Sequence, residues 1–353
     1  MSEVRLLKPN ELGLTDKVQK FEDGLRTEEK SGSYEWWYFD SKFPDGSSLV
    51  IVFYTKHVTS FAKKFKPFAS LNYINPNGKE LRTELWSDDF SFSKDGCDVR
   101  IGECRVKGDL SHYDICFKND DAECNLTLDA SVPSWRPDSG HIYFGKKDYF
   151  AWLPSVLEGK IKGTLKMKDE SIELLGTGYH DHNFGNKLMI LLMNDWYWGR
   201  AKIGDYVVVS SYIYANKKDG YKTVPIFMLA KDGDILTGDA YKYLKYEEKD
   251  FVKDSYTKRH VAKTLVYDYN DEENGVHYRV TYKKGDEDVE RQVMTDIVGR
   301  PLAVMFYLLG FRGSYHRMSG TAILEKFHGD EVVERVEAPA MWEQMCFKPD
   351  RIK

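Results

Sequence analysis

The sequence predicts an all-β protein assembled from hairpins. Two observations carry that expectation: runs of β-branched and aromatic residues recur along the chain, and turn-forming dipeptides separate them. A third is negative, since apolar residues at helical spacing are nearly missing. The first strong run is Leu49–Tyr54 (LVIVFY), preceded by Asp45-Gly46. Asn77-Gly78 and Asp95-Gly96 punctuate the next stretch, and Cys124–Ala130 is the second run. Tyr206–Tyr214 (YVVVSSYIY) is followed by Asp219-Gly220 and Asp232-Gly233, and Val276–Tyr282 opens after Asn274-Gly275. These dipeptides tolerate the positive φ that tight hairpin loops require. Only the charged stretch Tyr241–Lys258 and the apolar stretch Pro301–Phe311 are expected as short helices.

A chain of 353 residues exceeds the size at which one core usually keeps growing, so two domains are expected. Aromatic strand openers occur in both halves, Glu35-Trp-Trp-Tyr38 and Asp195-Trp-Tyr-Trp198. We place the boundary near 188–194, giving domains 1–190 and 191–353. The balance of 51 basic against 56 acidic residues gives no polyelectrolyte signature, so no nucleic-acid partner is expected. The first residues carry no apolar run long enough for a secretion signal. The longest apolar runs, Leu188–Met193 and Leu302–Leu309, fall short of the ~20 residues of a membrane span. Five cysteines (Cys97, Cys104, Cys116, Cys124, Cys346) are odd in number and lack CxxC spacing. Free thiols in a reducing cytoplasm are expected, although the four between 97 and 124 leave one disulfide open.

The most informative stretch is Gly176-Thr-Gly-Tyr-His-Asp-His-Asn-Phe-Gly-Asn186. It sets a phenol, two imidazoles, a carboxylate and a carboxamide in five consecutive positions. A core does not choose such residues, because each buried polar group needs a partner. In an extended segment Tyr179, Asp181 and Asn183 share one face and His180 and His182 the other. A β-bulge near Gly178 would break this parity. On the first face, a carboxylic acid in an apolar setting stays protonated nearer neutrality, so Asp181 with Tyr179 forms a candidate acid pair. The structural alternative is that Asp181 caps a turn or pairs with a buried arginine. On the second face, His180 and His182 form a candidate metal pair, for which His112, His141, His316 or Glu35 are possible third ligands. No second compact ligand motif accompanies them, and the favoured reading is that they hydrogen-bond the backbone. Glu35 shares its face with Trp37 and Phe39 and is expected as a structural partner of a histidine or an arginine.

These segments resemble the lipocalin-like family of carotenoid 1,2-hydratases (hydroxyneurosporene synthases) and AttH-type proteins. The resemblance rests on Glu35-Trp36-Trp37-Tyr38 near the start and on Gly176-Thr-Gly-Tyr179-His180-Asp181-His182-Asn183-Phe184-Gly185 at mid-chain, where Phe184 stands in place of the usual Trp. Ala340-Met-Trp-Glu-Gln-Met345 is similar to the family's last segment. The resemblance implies two lipocalin-like β-barrel or sandwich domains packed together. It also implies hydration of isoprenoid or prenylated compounds, terpene cyclisation or Diels–Alder ring closure. It assigns the chemistry to Asp181 and Tyr179.

The leading expectation is therefore a hydratase acting on a hydrophobic prenylated, terpenoid or polyene alkene. Asp181, Tyr179 and His182 are its candidate catalytic residues. Trp152, Trp37, Trp196, Trp198, Glu35, Asn183 and His180 are expected around the substrate, with aromatic faces positioned to hold a cation. No nucleotide-binding or zinc-hydrolase motif is present, so neither metal nor cofactor is expected. The competing readings are a cyclase or pericyclase in the same pocket and a non-catalytic lipid-binding protein.

Overall fold

The computed structural model describes residues 3–168, 170–299, 303, 307 and 311–352. They form two compact units, one of Leu6–Tyr143 and Lys147–Leu188, the other of Met1–Arg5, Phe144–Lys146 and Met189–Lys353. Antiparallel strands dominate both, as the hairpin signals predict.

In the N-terminal unit the hydrogen-bonded order runs Glu80–Trp86, Phe68–Ile74, Ser48–Tyr54, Tyr34–Lys42, Glu170–Gly185, Asp148–Met167, Glu123–Ala130, His112–Lys118, Cys104–Gly108, Asp98–Ile101, Phe90–Phe92. Leu71 near one edge and Val99 near the other share one core with Trp37, Phe39 and Phe53, so the sheet curls around its own apolar face. Most neighbours in this order follow one another along the chain. The strand Tyr34–Lys42, however, pairs with the distant Glu170–Gly185. That long-range pairing brings the two sequence motifs side by side.

In the C-terminal unit the order is Asp234–Ile235, Thr223–Lys231, Tyr206–Ala215, Met193–Ile203, Glu331–Cys346, Ser314–His328, Val276–Val293, His260–Asp271, Leu244–Lys253. Its core gathers Tyr197, Tyr206, Tyr267, Tyr282 and Trp342. Asp232-Gly233 makes the expected tight turn with both residues at positive φ, 52° and 87°.

The helix expected at Tyr241–Lys258 is corrected. Only Ala240–Tyr243 is helical, and Leu244–Lys253 is a strand paired with His260–Asp271. Alternation decides it: Tyr246 stacks on Tyr212 at 3.9 Å, and Glu248 accepts a hydrogen bond from Tyr214, both on one face. The expected helix at Pro301–Phe311 lies outside the described residues apart from Ala303, Tyr307 and Phe311. All five cysteines are free thiols. Among the described residues no helix is long and apolar enough to cross a membrane.

Gly176, at the start of the polar motif, lies against the Tyr34–Lys42 strand. A Cβ there would come within 2.2 Å of the Lys42 carbonyl oxygen and 2.8 Å of the Phe43 ring. Backbone cannot yield as a flexible side chain can, so Gly176→Ala is expected to destabilise the protein by about 1–3 kcal/mol. Urea unfolding of the full chain checks this. An unchanged midpoint would mean that the two strands separate more easily than their pairing indicates.

Candidate active site

The strand Glu170–Gly185 carries the motif between two neighbours. Against Tyr34–Lys42 its register is unbroken from Thr177↔Lys42 to Gly185↔Tyr34. Against Asp148–Met167 the register shifts between Pro154 and Val156 and again between Val156 and Gly159. The irregularity is thus on the partner strand, near Pro154, which has no N–H to give to the ladder. The motif strand itself keeps its alternation, and its polar residues sort to two faces.

On one face Asp181 is the hub. Its Oδ2 accepts hydrogen bonds from the Trp152 indole N–H at 2.8 Å and the Tyr179 hydroxyl at 2.9 Å. Its Oδ1 accepts from the Asn183 amide at 2.7 Å. All four residues are buried, Asp181 itself being 7% exposed. Burial penalises the carboxylate and pushes the Asp181 pKa up to about 6, although the three donors pull the other way. Aromatic rings surround this hub. Tyr38 pairs across from Asp181 and Trp36 from Asn183, both only partly buried. The Tyr38 and Tyr179 rings meet edge-on at 6.5 Å, and Trp135 stands perpendicular to Trp152 at 6.5 Å.

The other face is a closed polar network set in the core. His180 bonds the Tyr38 carbonyl through Nδ1 at 3.0 Å and Asp23 Oδ2 through Nε2 at 3.2 Å. His182 faces the Glu22 carbonyl through Nδ1 at 3.2 Å and Glu35 Oε1 through Nε2 at 2.8 Å. Glu35 also accepts from the Arg26 and Thr27 backbone N–H groups and from the Thr27 hydroxyl. Phe39 stacks on His180 at 4.0 Å and Trp37 on His182 at 4.7 Å. The short turn Lys20–Asp23 closes the network. Arg136 pairs with Glu22 at 2.6 Å, the Trp37 indole donates to the Asp23 carbonyl, and the Tyr113 hydroxyl donates to the Asp23 carboxylate at 2.5 Å.

The structure therefore brings Asp181, Tyr179, Asn183 and Trp152 together and sets His180, His182, Glu35 and Trp37 behind them. Trp37, expected beside the substrate with Trp152, instead lies on the core face, fully buried. Trp196 and Trp198 share a strand, Met193–Ile203, in the C-terminal unit. Both are partly buried, and the Trp196 ring is 5.1 Å from Phe347. Trp36 and Tyr38 were missed as neighbours of Asp181. Their signal was present, because the parity that sends Glu35 and Trp37 inward sends Trp36 and Tyr38 to the Asp181 face. Asp23, the partner of His180, had no signal at all: it sits in a single turn 157 residues away.

Comparison with known proteins places the chain in a family. A family model described as Diels-Alderase-like matches residues 25–347, and the chain belongs to that family. A hydroxyneurosporene dehydrogenase of Chlorobaculum tepidum is 26% identical over 222 residues, covering 48% of this chain and 54% of that protein. The match thus spans about half the length of that curated relative. Among solved structures, CghA with Sch210972 superposes with a TM-score of 0.62 at 13% identity, over 94% of this chain and 97% of CghA. An AttH protein of Nitrosomonas europaea gives 0.57 at 13% identity, over 96% and 99%. Kievitone hydratase of Nectria haematococca gives 0.53 at 10% identity, over 94% and 95%. These likenesses establish the lipocalin-like fold.

Asp181 holds its proton more tightly in the folded chain than in the unfolded one, where the value is 3.8. Between about pH 4 and pH 6 the folded state binds more protons, so stability falls as pH rises through that window and then levels off. The charged, buried carboxylate costs on the order of 2–3 kcal/mol above it. Asp181→Asn removes the titration, and the Asn183 amide can turn over to accept from the new carboxamide. The stability difference between wild type and this variant, from urea unfolding across that range, is expected to change with the stated sign. Parallel curves would show that Asp181 does not titrate there.

Proposed function

We propose that this member of the Diels-Alderase-like family is a cofactor-independent hydratase. In this reading it adds water to, or removes it from, an alkene of a hydrophobic prenylated, terpenoid or polyene molecule. The observation that carries the reading is the Asp181 carboxyl, fixed by three donors and buried, which pushes its pKa up to about 6. Both lone pairs of Oδ2 accept from Trp152 and Tyr179, so the transferable proton belongs on Oδ1. Protonation of one alkene carbon moves the π electrons into the new C–H bond and leaves a carbocation at the other. In this reading the neighbouring aromatic rings of Trp152, Trp36 and Tyr38 would stabilise that charge. Water adds to the cation, and its surplus proton returns to the Asp181 carboxylate, closing the cycle. Tyr179 holds Oδ2 and so orients the acid. His182, His180 and Glu35 fix the strand from behind. The name of kievitone hydratase, a structural neighbour, agrees with this chemistry.

A second reading is favoured by the family's description and by the likeness to CghA, whose structure holds Sch210972. It is a cyclase or pericyclase in which Asp181 donates a hydrogen bond rather than a proton. Folding a flexible substrate would then supply most of the acceleration.

Incubation with candidate alkenes in H₂¹⁸O, followed by mass spectrometry, separates the readings. Label uptake marks a hydratase, an unlabelled isomer a cyclase, and unchanged substrate a carrier. Asp181→Asn is expected to lower turnover by roughly 10²–10⁴ while substrate still quenches tryptophan emission. Tyr179→Phe is expected to cost less. Wild-type turnover should fall as pH rises through about 6, because the acid form is consumed. Near-normal turnover of folded Asp181→Asn would refute acid catalysis.

A further inference from the structure

We propose that Asp23, Cys97 and His180 form a binding site for a divalent transition-metal ion of the zinc type, on the core face behind the candidate active site. One ligand atom from each of the three lies within 4.8 Å of the others, and all three residues are at most 1% exposed. The set joins a thiol, an imidazole and a carboxylate, a combination suited to zinc.

The spacing sharpens the argument. The Tyr38 carbonyl holds His180 through Nδ1, which leaves Nε2 facing the Asp23 carboxylate 3.2 Å away. Two ligands bound tetrahedrally, each ~2.0 Å from one zinc ion, stand ~3.3 Å apart.

A plain His180–Asp23 hydrogen bond leaves two neighbours without a role. Asp23 Oδ1 is buried and receives no hydrogen bond among the described residues; His182 Nδ1 stands 3.7 Å from it. Cys97, whose thiol burial pushes well up, stands beside the same carboxylate. A metal uses both. The surroundings match those of a built site. The Tyr38 carbonyl orients the imidazole, and the Tyr113 hydroxyl orients the carboxylate. Such an ion would tie the Lys20–Asp23 turn, the residue preceding Asp98–Ile101 and the motif strand into one node. Being buried, it would enter as the chain folds. Its role is structural, because it lies behind His180 and the chemistry proposed for Asp181 is on the opposite face.

The test uses the full chain, purified without chelator from zinc-supplemented culture and, in parallel, refolded from denaturant with cobalt(II). About one metal per chain is expected, and the cobalt form should show thiolate-to-cobalt charge-transfer absorption in the near ultraviolet. Cys97→Ala keeps a small apolar group in the core and should lose both the metal and that band. Asp181→Asn should keep both, which separates this site from the proposed acid chemistry. The band in wild-type protein reports thiolate ligation by itself, should the cysteine variant fail to fold. Folded wild-type protein that carries no zinc and develops no cobalt–thiolate band overturns the proposal and leaves a plain His180–Asp23 hydrogen bond. Equal metal content in wild type and Cys97→Ala overturns it as well.

Discussion

The unbroken pairing of the motif strand with Tyr34–Lys42 is the constraint on which the rest of the site depends. Side chains alternate across a sheet, so a slip of one residue would exchange the two faces completely. Asp181 would then enter the core beside Phe39, while His180 and His182 would leave Asp23 and Glu35. Every one of these polar groups is buried, and each left without a partner costs about 1–3 kcal/mol, more where it is charged. The register is therefore held by polar partners on both faces as well as by apolar packing. The irregularity that curvature demands falls on the neighbouring strand around Pro154, where the ladder lacks a donor in any case.

Much of this was legible before any coordinates. The β-branched runs and the Asp-Gly and Asn-Gly turns gave the hairpins, because both signals are local. Parity gave the split between Tyr179, Asp181, Asn183 and His180, His182, because the motif strand stays regular. What could not be read was which distant segment lies behind each face. The Lys20–Asp23 turn has neither periodicity nor composition to mark it, yet it supplies Asp23 and the Glu22 carbonyl to both histidines. Cys97 looked like one more free thiol. The helix expected after Tyr241 failed for a related reason. Its charges suggested a solvated helix, whereas Glu248 is paired with Arg351 and Tyr214 on one face of a strand.

The two faces differ in how fully their groups are committed. Behind the strand, carbonyls, carboxylates and stacked rings engage the imidazoles on every side, and this fixes the backbone from Tyr179 to Gly185. A positioned acid needs such backing, since small misplacements of a reacting group are costly in rate. On the Asp181 face the same rigidity is used differently. Donors occupy three of the roughly four lone-pair positions of the carboxyl group, and the remaining one lies on Oδ1.

That remaining position explains why one arrangement suits both candidate reactions. Donors to a carboxylate favour the charged form, and three of them in water would make a strong acid. Burial among Trp152, Tyr179, Trp36 and Tyr38 works against them and prevails, which brings the group to about 6 rather than below 4. In the proposed hydratase that proton would pass to an alkene whose cation the rings would stabilise. In the cyclase reading the same O–H would stay on Asp181 and polarise a substrate carbonyl without any transfer. The two proposals therefore differ in the substrate they require: an electron-rich isolated alkene for the first, an activated carbonyl for the second.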